Sequence, residues 1–297
     1  MISSYALALE AAHAAAGAQH YPQAALYVVA TPIGNLADIS LRALHALSLV
    51  DAVACEDTRH TRTLLHAYGL DKPTLALHQH NEIEATQAVI ARLRRGERVA
   101  YVSDAGTPAI SDPGALLVAG VRAAGFAVVP LPGASSVTAA LSVAGIAEDT
   151  GFVFIGFLPP KATERDAAVL RLQDEPRTMV LLEAPHRIEA LARALAVLGT
   201  RQVTVARELT KQFEEIATMG AAALTGWLQT DAQRLRGEFA LVLHPADARE
   251  PASADHRVLE LLLAELPLKT AVQLAAQITG APRNELYEKA LALKKSP

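Results

Sequence analysis

"SDAGTPAISDPG", residues 103–114, follows directly on the apolar run "RVAYV" (98–102) and precedes the helix-like "ALLVAGVRAA" (115–124). Its twelve positions hold two Gly, two Pro, two Asp, two Ser and a Thr. A buried strand that runs into so many turn-forming and hydrogen-bonding residues ends in a loop at the carboxyl edge of a sheet. In an open parallel sheet that edge is where ligands bind, because the loops diverge there and helix N-termini turn free N–H groups outward. Asp112 followed by Pro113 has a structural reading, as N-cap and first-turn pair of a helix over 113–124. Asp104, Ala105, Gly106 and Thr107 precede that cap. They are placed to meet the ribose or ammonium group of a ligand, although a turn-only role is equally compatible with the bare pattern.

Outward from this loop, β-branched apolar runs bounded by turn residues recur at 26–30, 52–55, 74–77, 98–102 and 127–131, with helical spacing between them. Strands alternating with helices predict a mainly parallel sheet covered on both faces. A second series follows at 152–155, 178–182, 202–206, 213–219 and 238–243, with helices near 162–173, 187–198 and 220–230. Two of these strands leave little room for a helix between them, which predicts a mixed sheet. The expected organisation is an extension over 1–24, poorly ordered or loosely helical, then α/β domains over 25–146 and 147–246, then a helical module over 253–297. In that module, "LPLKTAVQLAAQITGAPRNELYEKAL" has the outline of a helix-turn-helix. Its six Lys or Arg against five Asp or Glu decide nothing about a partner, and a plain packing role is equally open.

Composition narrows the function. The chain has 297 residues, 51% of them hydrophobic, with ordinary Gly and Pro usage, which argues for globular domains. Aromatics at 4% weaken the case for a surface built on rows of stacked bases, and a net charge of −4 gives no global signal for a polyanion partner. Any nucleic-acid contact has to be a local basic patch. The lone Cys55 cannot form an internal disulfide, which fits a reducing cytoplasm. No stretch reads as a membrane span or a secretory signal. No G-x-G-x-x-G or G-x-x-x-x-G-K-[ST] occurs, and His78 and His80, placed on one strand face by "LHQHNE", are too few for a metal centre. Two further loops stand beyond strand ends, "ATPIGNLADIS" (30–40) and "PLPGASSVTAALSVAG" (130–145). Capping explains one Ser of the latter but not both.

Read together, "YVVATPIGNLADIS", "DAVACEDTRHTRTLL", "SDAGTPAISDPG", "LPGASS", "FIGFLPPK", "EAPHRI", "ARELTKQFEE" and "GEFALVL" occur in the order in which they resemble the tetrapyrrole methylase superfamily. The likeness is closest to its branch acting on ribosomal RNA of the small subunit. The resemblance covers about residues 25–244 and implies a two-domain α/β fold, with a parallel-sheet N-terminal domain, a mixed-sheet second domain and a small helical C-terminal appendix. It also implies a homodimer and S-adenosylmethionine folded into the cleft between domains. Carried over to this chain, the cofactor pocket falls on Pro32, Ile33, Gly34, Asp104, Gly106, Thr107, Ser135 and Ser136, closed by Leu182, Ala206 and Phe239. Members acting on porphyrin-like rings carry a Gly-Pro-Gly-Asp type loop where this chain has Thr31 to Asn35, which argues against a macrocycle substrate.

The implied nucleophile is a ribose 2′-hydroxyl of a cytidine in small-subunit ribosomal RNA. The polar clusters outside the cofactor loops supply the candidates for the transfer. Glu56 and Glu208 are candidate bases, Lys211 a catalytic or ribose-holding cation, and Arg59, Asn81, His186 and Arg187 candidate substrate contacts, with no metal. Two other readings stay open: a superfamily methyltransferase acting on a small molecule or protein side chain, and a noncatalytic RNA-binding assembly factor.

Overall fold

The computed structural model describes residues 6–147, 151–246 and 252–295. After α1 (Ala6–Ala16), the first half alternates β1 (Ala25–Val29), α2 (Leu41–Leu49), β2 (Ala52–Cys55), α3 (Thr58–Ala67), β3 (Thr74–Ala76), α4 (Glu82–Arg94), β4 (Val99–Val102), α5 (Ala115–Ala123), β5 (Ala127–Leu131) and α6 (Ser136–Val143). The strands pair in parallel in the order β3-β2-β4-β1-β5. Every residue of β2 and β4 is buried, as two helix-covered faces require. Pro130, which has no N–H for a ladder, sits in the edge strand β5, where that loss is tolerated.

The second half contains β6 (Phe152–Gly156), α7 (Ala162–Leu172), β7 (Thr178–Glu183), α8 (Ile188–Leu195), β8 (Gln202–Arg207), β9 (Glu215–Gly220), α9 (Leu224–Gln229) and β10 (Phe239–Leu243). Its sheet, β6-β7-β10-β8-β9, is mixed: β6 and β7 are parallel, and the remaining pairs are antiparallel. Ile188, Leu191, Ala192 and Leu195 of α8 follow helical spacing and are all buried in this half's core. The expected boundary near 146 separates the sheets but not their cores. Val137, Ala140 and Ala144, in and just after α6, pack with Val180, Ala206, Ala240 and Val242 of the second sheet. Met1–Gln173 and Arg177–His244 accordingly form one compact unit.

The remaining unit, Asp174–Pro176 with Pro245–Pro297, holds α10 (Ala252–Glu265), α11 (Leu268–Thr279) and α12 (Arg283–Lys295). These helices share a core of Leu259, Val272, Ala275, Leu286 and Ala290. Gly280 ends α11 in the left-handed conformation at φ 75°, supplying the expected turn. Among the described residues no helix is long and apolar enough to cross a membrane.

Three expectations are corrected. The extension over 1–24 is not loose where it is described: α1 packs on α2 with Ala12 and Ala16 buried, and His13 and Tyr21 lie 5.4 and 5.0 Å from the His45 ring. Alanines at helical spacing present a flat stripe that lets a neighbouring helix approach closely. His78 and His80 do not share a strand face, because β3 ends at Ala76 and the Asn81 side chain closes a turn onto the His78 N–H. Asp112 does not cap a helix from 113. The helix α5 begins at Ala115, and Glu82 Oε1 accepts from the N–H groups of Gly114, Leu116 and Leu117 at 2.8, 3.0 and 3.4 Å. The cap is thus a carboxylate from the first turn of α4, favoured there by the exposed positive end of α5.

Candidate active site

The strand order β4-β1-β5 sets three carboxyl ends side by side, so loops far apart in sequence become neighbours. Thr31 and Gly106 exchange backbone hydrogen bonds of 2.9 and 3.0 Å, joining the first loop to the second. The Thr31 hydroxyl donates to the Ser103 carbonyl at 3.2 Å. Thr107 Oγ1 then donates to the Ala134 carbonyl at 3.2 Å, joining the second loop to the third. Gly106 takes φ 81°, and a Cβ there would press on Ile33 Cγ2 at 3.2 Å. Ser135 is the N-cap of α6, yet its hydroxyl makes no capping bond and stays available.

A cavity of about 280 Å³ lies between these loops and the second sheet. That is near the lower end of ligand pockets, roughly 300 Å³ and upward. Ile33, Gly106, Thr107, Ser135 and Ser136 line one side, and Leu182, Ala206 and Phe239 the other. The pairing of β7, β10 and β8 explains the second group: Ala240 lies between Leu182 and Ala206 in the ladder, and Phe239 is the next residue. The three central strands of the second sheet therefore contribute an apolar slot, the opposite wall carries hydroxyls, and the glycine leaves room for close backbone approach.

The other predicted residues divide. Pro32, Gly34 and Asp104 do not line the cavity. Pro32 is buried in the first loop, and Asp104 Oδ1 accepts from the Asp57 N–H at 3.4 Å. Gly34, at φ 151°, lies under the Lys211 side chain, and a Cβ there would collide with it. Lys211 does line the cavity, its Nζ 2.8 Å from Glu208 Oε1 and 2.9 Å from Glu238 Oε2. Burial alone would depress the Lys211 ammonium, but the two carboxylates outweigh it and raise it. Burial likewise pushes the Glu208 carboxyl up, and the Lys211 ammonium and the Glu238 N–H, both donating to Glu208 Oε1, overcome this and hold it below its ordinary value. Glu208 is thus an ion-pair partner outside the cavity lining, a poor arrangement for a base. Glu56 also stands outside the lining, its carboxyl raised by burial and by Asp112 and Asp104.

Among the expected substrate contacts, Arg59 is exposed and paired with Asp57 at 3.0 Å, which holds the Asp57 carboxyl down at about 2. His186 is exposed. Asn81 spends its amide on the His78 N–H and the Ala76 carbonyl. Arg187 sits 3.0 Å from the buried Glu183 and also donates to the Leu158 carbonyl, so it ties two loops together. None of these four lines the cavity. Sequence reading missed Asp112, Glu238 and Phe157 as lining residues. Asp112 carried a plausible cap role that hid it, and Glu238 lies beside Phe239 in "GEFALVL", a motif read only for its apolar face. Among the described residues no group of three His, Cys, Asp or Glu is arranged to hold a metal ion.

With this geometry in place, comparison with known proteins is specific. The family model "Tetrapyrrole (Corrin/Porphyrin) Methylases" matches residues 25–225, and "RsmI C-terminal HTH domain" matches residues 249–294. Ribosomal RNA small subunit methyltransferase I of Pseudomonas aeruginosa is 49% identical over 90% of this chain and 96% of its own. The protein of the same name from Escherichia coli O157:H7 is 47% identical over 91% and 95%. Uroporphyrin-III-C-methyltransferase from Thermus thermophilus is similar in fold, with a TM-score of 0.53 at 20% identity over 75% of this chain and 94% of its own. A crystal structure of that enzyme complexed with S-adenyl homocysteine scores 0.50 at 17% identity, covering 73% and 96%. Eight sequence motifs, a parallel and a mixed sheet as expected, and near-full-length relatives agree that the chain belongs to the tetrapyrrole methylase family, in the branch of ribosomal RNA small subunit methyltransferase I.

Proposed function

We propose that the protein is an S-adenosylmethionine-dependent methyltransferase of small-subunit ribosomal RNA, and that it methylates the ribose 2′-hydroxyl of a cytidine. The observation that carries this is a cavity whose floor is three knitted loops of one sheet and whose roof is formed by Leu182, Ala206 and Phe239 of the other. Relatives at 47–49% identity are named ribosomal RNA small subunit methyltransferase I, which supports methyl transfer to that RNA. The donor set suits an adenosyl sulfonium: Leu182, Ala206 and Phe239 offer a slot for a flat heterocycle, Gly106 allows close approach, and Thr107, Ser135 and Ser136 supply hydroxyls. When bound, this cofactor supplies an electrophilic methyl group. The chain's own work is to align a hydroxyl with it, and positioning of this kind is worth roughly 7–11 kcal/mol of a barrier.

Lys211 straps the roof to the first loop over Gly34, and the two carboxylates that hold its ammonium fix that strap in place. Arg59 and His186, both exposed, are the candidates for phosphate and ribose contacts outside the cavity. The resemblance further implies a homodimer, which sedimentation measures directly. The test of the function uses labelled cofactor and small ribosomal subunits from a strain lacking this protein, followed by mapping of the label. Label on a cytidine ribose is expected; label on a base, or none, overturns the proposal.

A further inference from the structure

Asp112 is the residue whose expected job the structure gives to another group. Three N–H groups at the start of α5 converge on Glu82, which leaves the Asp112 carboxylate without a capping duty. It lines the cavity beside Gly106, Thr107 and Ser111. Among the expected bases, Glu56 and Glu208 do not line the cavity. We infer that the Asp112 carboxylate is the general base that takes the proton of the substrate hydroxyl.

This inference rests on the proposed methyl transfer to a hydroxyl. The balance is simple: the O–H proton passes to an Asp112 oxygen as the hydroxyl oxygen gains the methyl group. The donor's carbon–sulfur bond breaks, its electron pair returns to sulfur to leave a neutral thioether, and Asp112 releases the proton to solvent. The surroundings favour the task. Burial pushes the Asp112 carboxyl above its ordinary value, the Ser103 hydroxyl draws it back in part, and the Asp104 charge raises it further. A base with a raised pKa accepts a proton more readily. The other charged groups facing this region are Glu56 from the end of β2, Glu183 from β7, and the Lys211–Glu238 pair across the cavity. Tyr101 contributes a phenol, held protonated by burial and by Asp112, that donates to the Pro113 carbonyl.

The test compares wild type, Asp112→Asn and Asp104→Asn on small subunits, with S-adenosylhomocysteine affinity measured in parallel by calorimetry. Asp112→Asn is expected to lower kcat by about 10²- to 10⁴-fold and to abolish the acidic limb of the kcat/KM pH profile. Its S-adenosylhomocysteine Kd is expected to stay within about twofold of wild type, since the lost interaction belongs to the reaction step. In the ligand-free protein, carbon-13 NMR of the Asp112 carboxyl should show titration above an ordinary aspartate, shifted downward by Asp104→Asn. A retained acidic limb, or a parallel loss of S-adenosylhomocysteine binding, overturns the inference. Asp112→Glu keeps the acid and should restore part of the rate, which a purely structural role would not do. If wild type transfers no methyl group to ribose, the proposed function itself fails, and the two failures are distinguishable.

Discussion

At Gly106 the backbone takes φ 81° between two loops, with Ile33 Cγ2 3.2 Å from where a Cβ would stand. A side chain there meets both left-handed strain, of order 1–3 kcal/mol, and a neighbour that has to move into the cavity. The need for such a residue was legible in "SDAGTP", because Gly followed by Thr beyond a strand end reads as close approach plus a hydroxyl. Asp112 was legible only as a cap, since nothing local in the sequence shows that Glu82, 32 positions before Gly114, reaches the same N–H groups first. The raised Asp112 carboxyl has a consequence for stability. Its contribution is fully present below the pKa of an unfolded aspartate and is lost as pH rises through the higher folded value. Asp112→Asn is therefore expected to melt higher than wild type at neutral pH and to match it below the ordinary aspartate range. Thermal unfolding at the two pH values checks this, and equal melting temperatures at neutral pH would contradict it.

Among the elements, the strands were readable to within a residue or two because buried parallel strands carry unbroken β-branched runs, as in "AVAC" and "RVAYV". What binds the elements to one another was not readable. Removing the cap by Glu82→Ala leaves three N–H groups of α5 without their acceptor. It should cost about 1–2 kcal/mol in urea unfolding, the scale of a lost N-cap. Arg187 reads as a substrate contact in "EAPHRI" because a cation just beyond a strand end offers no sign of a buried partner. Glu183, at 2% exposure, is that partner. Arg187→Ala strands this carboxylate and should destabilise by about 3–5 kcal/mol. Arg187→Lys should recover only part, since one ammonium cannot reproduce the fork that meets both Glu183 and the Leu158 carbonyl. A loss of subunit affinity in Arg187→Ala with stability unchanged would restore the substrate-contact reading.

For the whole molecule, the alternation of strands and helices predicts the parallel and the mixed sheet that are found, while the two α/β domains expected over 25–146 and 147–246 share a core through α6 and fall in one unit. That sharing is carried by Val137, Ala140 and Ala144, small apolar residues whose burial face gives no hint of which sheet they meet. The C-terminal helices have their own core, so damage there should stay local. Leu286→Ala, at a side chain 1% exposed, should cost about 2–5 kcal/mol within that unit. Hydrogen exchange should then speed up in α10–α12 and remain unchanged in β1, β4 and β5. The central claim is that the loops after β1, β4 and β5 and the facing edge of the second sheet form one receptacle for an adenosyl donor. Calorimetric titration of S-adenosylhomocysteine into wild type and Gly106→Ala tests it most directly. Saturable binding of one ligand per chain, weakened about tenfold or more by the single methyl group that crowds Ile33, is the predicted result, that factor being about 1.4 kcal/mol of binding free energy. Absence of binding to the wild type, or equal affinity in the two proteins, would contradict it.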